Sequence, residues 1–142
     1  MPQLASKITN LDDARVRRIA RATEAGVDVH WSEIRTYLGD IDRVTTEMPR
    51  RFKSITADSP AHLALVKIAD YCVKIRHLQE VQRQSGGAGQ TDIAIANIAA
   101  YIVRAVNIVP WPREVPKSWL DHIRLSAQEI SRLAILRCEA HK

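Results

Sequence analysis

The run Thr91–Val109, TDIAIANIAAYIVRAVNIV, constrains this chain more than any other stretch. At about 100° per residue, Ile95, Ile98, Ile102, Val106 and Val109 share one helical face. Ala99, Tyr101, Val103 and Ala105 widen that face past half the circumference. A helix this apolar is expected to have other elements around it, which makes it the expected axis of the fold. Asn97, Arg104 and Asn107 interrupt a run already shorter than the roughly 20 apolar residues a bilayer requires, so no membrane span and no membrane partner is expected.

The remaining segments repeat the helical period. Asn10 is placed to cap a helix over about 11–25, with Asp12 and Asp13 in its first turn and Gly26 as its stop. Asp28 opens a second helix, about 29–48, whose stripe runs Trp31, Ile34, Leu38, Ile41, Thr45 and Met48 before Pro49 ends the pattern. Ser59-Pro60 opens a third, about 60–84. That helix is apolar over more than half its circumference up to Ile75 and polar from Arg76 to Gln84, so its last turns are expected near the rim. Ser85–Gly89 is the one flexible connection, and it leads into the central helix, about 92–109. Three prolines between Val109 and Pro116 stiffen the crossover to a last helix, about 118–140, with Ser118 as its expected cap. The inward stripe of that helix is read as Trp119, Leu120, Ile123, Ala127, Ile130, Ala134 and Cys138. The expectation is an all-α, five-helix, broadly antiparallel bundle over residues 1–142, with the third and fourth helices at its centre.

Sequence chemistry argues against an enzyme. Glu-x-x-His, His-Glu-x-x-His, Cys-x2-Cys and Gly-x-Ser-x-Gly are all absent from the 142 residues. The glycines of Ser85–Gly89 follow a helix and precede no Gly-Lys-Ser/Thr, so they do not form a phosphate loop. No catalytic residue, metal ligand or cofactor is expected. Cys72 and Cys138 fall inside helical patterns and read as reduced thiols of a cytoplasmic protein; MPQLASKITN carries no apolar signal core.

Binding is what remains. The charge of +5 leans toward anionic partners. Trp111, rigid between two prolines, and the nearby Arg113 are candidates for partner binding, as are Asn97 and Arg104 on the polar arc of the central helix. Arg17, Arg18 and Arg21, with Arg50, Arg51 and Lys53 around Phe52, are the candidate contacts to nucleic acid or another anion. Leu125 and Leu136, with Glu129 and Arg132 between them, form a self-complementary ridge that suits a two-fold homodimer.

The function expected is a non-enzymatic interaction protein with a protein or nucleoprotein partner. A phage- or plasmid-encoded inhibitor of a host defence complex would look like this, an analogy of class with no motif behind it. A basic helical nucleic-acid-binding protein is the first alternative, and an enzyme whose site converges from scattered residues is the second.

Overall fold

The computed structural model describes residues 28–85 and 89–140. Among them are four α-helices and no strand: α1 (Val29–Arg51), α2 (Pro60–Ser85), α3 (Gln90–Ile108) and α4 (Lys117–Ala140). The chain is therefore all-α. The helix expected over about 11–25, with Arg17, Arg18 and Arg21, lies outside the described residues, so four helices stand here where five were expected.

Local chemistry explains most of the helix ends. Asp28 Oδ1 accepts from Trp31 N at 3.1 Å, satisfying one of the free donors at the start of α1. Ser59 Oγ accepts from His62 N at 3.1 Å, and Pro60 takes the first helical position of α2. Gly89, ahead of α3, has φ +83°, a left-handed conformation that favours glycine. Against the expected bounds α2 ends one residue later, α3 starts two residues earlier and ends one earlier, and two further ends differ. α1 runs on through Pro49 to Arg51, because the proline removes only its own N–H and Phe52 N still donates to Met48 O at 2.9 Å. α4 begins at Lys117, one residue before its expected cap Ser118.

The four helices form a ring. α1 packs on α2, α2 on α3, α3 on α4 and α4 on α1, while no Cα atoms of the diagonal pairs come within 8 Å. Neighbours run antiparallel. Trp31 meets Arg137 at one end of the α1–α4 seam and Phe52 meets Trp119 at the other. Along α3–α4, Asp92 meets Arg137 and Asn107 meets Arg124.

This arrangement corrects the expectation of a central helix. Among the described residues neither α2 nor α3 is enclosed by the other helices; α4 makes the widest contacts, with α3 and α1. The broad apolar arc of α3 contains many alanines, whose methyl groups cover little area, and only one face is buried: Asp92, Ile95, Ala96, Ala99, Ile102, Ala105 and Val106. Ile93, Tyr101 and Ile108 are exposed. By length and mean hydropathy (1.3) α3 could cross a membrane, yet Ile95, Ala99 and Ile102 are fully buried in the bundle core. Ile34, Leu38, Ile41, Ile68, Ile75, Ile123 and Ile130 complete that core from the other three helices.

Candidate interaction site

At the end of the bundle where α1 and α3 begin, every core stripe terminates in a polar or amphipathic residue. The spacing of 3 and 4 that carries Ile95, Ala99 and Ile102 also reaches Asp92, and the one through Ile123, Ala127, Ile130 and Ala134 reaches Arg137. α2 adds Gln79 and Gln82, and α1 adds Trp31, all buried. Within the polar half of α2, Gln79 and Gln82 thus turn into the core, while His77, Glu80 and Arg83 stay exposed.

Trp31, Gln79, Asp92 and Arg137, with Asp28, are linked by hydrogen bonds. Arg137 Nη1 donates to Asp92 Oδ2 at 2.8 Å, Arg137 Nε to Asp28 Oδ2 at 2.5 Å, and Trp31 Nε1 to Asp92 Oδ1 at 3.1 Å. The guanidinium lies 3.9 Å from the Trp31 ring centroid. Gln79 Nε2 donates to Trp31 O at 3.4 Å. Asp92 is wholly inaccessible, so the layer offers a ligand no entrance there; sliding α3 or α4 by one turn would strand a charge in the core. It is a lock on register.

The accessible feature lies on α2 and α3. Four aliphatic residues of α2 point into solvent: Leu63 (61% exposed), Val66 (56%), Val73 (59%) and Val81 (47%). At about 100° per residue they occupy an arc of roughly 80°, nearly opposite the core stripe of Leu65, Ile68, Cys72 and Ile75, with Asp70 and His77 among them. Where this stripe reaches α3 it joins a groove of about 480 Å³. Ala64 and Ala105 floor the groove, with one methyl group each and nothing larger to fill the seam. Leu63 and Ile108 (70% exposed) are among its lining residues. Tyr71 and Tyr101, stacked at 6.0 Å between centroids and 28° between planes, also line it. Lys67 and Arg104 are its charged lining residues.

The residues picked out in the sequence fall in several places. Arg104 lines this groove between α2 and α3; Asn97, also exposed, is two turns away on the same helix. Asn107 does reach a neighbour, accepting from Arg124 Nε at 2.9 Å. Trp111 is half-buried against the core, and its Nε1 donates to Val106 O at 2.8 Å, while Arg113 is exposed on the α3–α4 connection. Arg50, Arg51 and Lys53 are exposed, but Phe52 packs edge-on to Trp119 at 5.1 Å and Arg51 covers the same indole at 5.8 Å. The aromatic group expected to stack on a base is therefore engaged inside the protein. Leu125 and Leu136 are both exposed, and Arg132 Nη2 pairs with Glu129 Oε1 within the same helix.

Chemistry for catalysis is sparse among the described residues. No group of three or more His, Cys, Asp and Glu there could hold a metal ion. Burial, with the Asp42 carboxylate adding to it, pushes the Cys72 thiol up to about 12, so it stays protonated and inert. No family model matches the chain, and neither a curated protein nor a solved structure matches it.

The lock and the groove were both missed in the sequence. Asp92 and Arg137 continue the core spacing and carried a usable signal. The groove requires Ala64 and Ala105 to face each other across 41 positions of chain, and no local pattern shows that pairing.

Proposed function

We propose that this chain is a non-enzymatic interaction protein that binds a macromolecular protein partner through the α2–α3 face. One observation carries the reading: α2 bears a second apolar stripe nearly opposite its core stripe, continuous with an apolar groove. Isolated exposed aliphatics are ordinary on a protein surface, whereas an aligned set beside a concave apolar seam marks a contact surface. The protonated Cys72 thiol supports the non-enzymatic part of the proposal, and two free cysteines suit a reducing cytoplasm.

Capture of partners from native cells tests it, with wild type and a Leu63→Asp/Ile108→Asp variant as baits. Both side chains are exposed, so the variant keeps the helical content of wild type and loses its partner. Undiminished capture by the variant contradicts the proposal. Retention of wild type on DNA at about 50 mM salt, abolished by reversing Arg50, Arg51 and Lys53, would establish the nucleic-acid alternative instead.

A further inference from the structure

We infer that the α2–α3 groove receives an amphipathic helix of the partner whose apolar stripe is flanked by Asp or Glu, an inference that rests on the proposed interaction function. Length fits such an occupant. Pro60 to Tyr71 spans about 16 Å of helix axis, which is three turns, and accommodates anchors at i, i+3 or i+4, and i+7 of a docked helix. Depth comes from the floor, where Ala64 and Ala105 leave space that Leu- or Ile-sized anchors can fill.

Charge selects the flanks. Lys67 from α2 and Arg104 from α3 line the groove, both are exposed, and no Asp or Glu lines it. Lys67 lies 6.0 Å from the Tyr71 ring centroid, and neither cation has an ion-pair partner among the described residues. This contrasts with Arg43, Lys74, Arg76, Arg83, Arg124, Arg132 and Arg137, each of which pairs with a carboxylate. Two uncompensated cations beside an apolar trough complement a helix with carboxylates beside its apolar stripe, and they disfavour one with lysines there.

The test uses two labelled peptides of roughly 15 residues with the same leucine stripe, one flanked by Glu and one by Lys, titrated by fluorescence anisotropy. The Glu-flanked peptide is expected to bind about five- to tenfold more tightly at about 50 mM salt, with the advantage shrinking as salt is raised. Lys67→Glu/Arg104→Glu is expected to reverse the preference, and Leu63→Asp/Ile108→Asp to abolish binding of both peptides. Both pairs are exposed, and circular dichroism confirms that each variant is folded. Equal affinity for the two peptides overturns the acidic flank. Binding that survives Leu63→Asp/Ile108→Asp, an absence of any binding, or displacement of the Glu-flanked peptide by a single-stranded oligonucleotide overturns the helical occupant. If the peptides fail while native capture still depends on α2–α3 residues, this inference falls and the proposed function stands. If native capture is indifferent to those residues, the proposed function falls with it.

Discussion

Replacing Arg137 by methionine isolates the energetics of the buried polar layer. Methionine keeps much of the apolar stem of arginine and removes the charge. Asp92 is left fully buried with Trp31 Nε1, at 3.1 Å, as its remaining side-chain donor in that network, and Asp28 loses its bond at 2.5 Å. Removing one partner of a buried ion pair costs about 3–5 kcal/mol, because the other charge stays in a medium that solvates it poorly. For a chain of this size that corresponds to a fall in Tm of roughly 8–16 °C, read from thermal unfolding by circular dichroism. Asp92→Asn is milder, at about 1–3 kcal/mol, because Arg137 keeps the half-buried Asp28 and its contact with Trp31. The two changes are not additive. Adding Asp92→Asn to Arg137→Met removes the stranded carboxylate, so the double variant is more stable than Arg137→Met alone, with a coupling of about 2 kcal/mol or more. Additive losses, or an Arg137→Met cost below about 1 kcal/mol as for an exposed pair, would refute the reasoning.

Three further outcomes follow from other sites. In a Cys138→Ser background, Cys72 of the native protein stays unlabelled by a thiol reagent at about pH 8 and reacts fully once unfolded, because its thiol is held up to about 12; rapid native labelling would contradict this. Hydrogen bonds from Ser54 hold the Glu114 carboxyl below its ordinary value, so its contribution is present above that value and lost as pH falls through the folded one. Wild type should therefore be more stable than Glu114→Gln at about pH 6, with the difference shrinking as the pH falls below the ordinary carboxyl range; a gap that does not shrink in acid refutes it. We also propose that the exposed Leu125 and Leu136 support a weak homodimer. Light scattering should then show concentration-dependent association that Leu125→Glu/Leu136→Glu abolishes without unfolding, and a wild type that stays monomeric when concentrated ends that proposal.

Helix class and helix starts were legible in the sequence because they depend on neighbours a few residues apart. Asp28 and Ser59-Pro60 act where their side chains can reach the first free N–H groups, and the stripes through Ile34, Leu38 and Ile41 or Ile123 and Ile130 follow from the helical period alone. How many elements cover a helix is a different kind of question. The face containing Ile98, Tyr101, Val103 and Ala105 is apolar, but periodicity does not reveal that among the described helices α3 packs on two and leaves Tyr101 and Ile108 in solvent. Gln79, Gln82, Asp92 and Arg137 keep the core spacing, and the polarity of the two glutamines points to a rim; burial of each of the four depends on partners from other helices. For Arg104 the exposed arc was readable; its place at a groove was not, because Leu63, Ala64 and Tyr71 come from a different part of the chain.

Position-resolved crosslinking in native cells tests the interaction surface most directly. A photoreactive amino acid is placed singly at Val66 and Ile108 on the α2–α3 face, and at Gln128 on the exposed side of α4. Crosslinks to one and the same protein at Val66 and Ile108, with none at Gln128, are the result expected if α2 and α3 form the docking face. Crosslinks at Gln128 alone, or at none of the three positions, would contradict it.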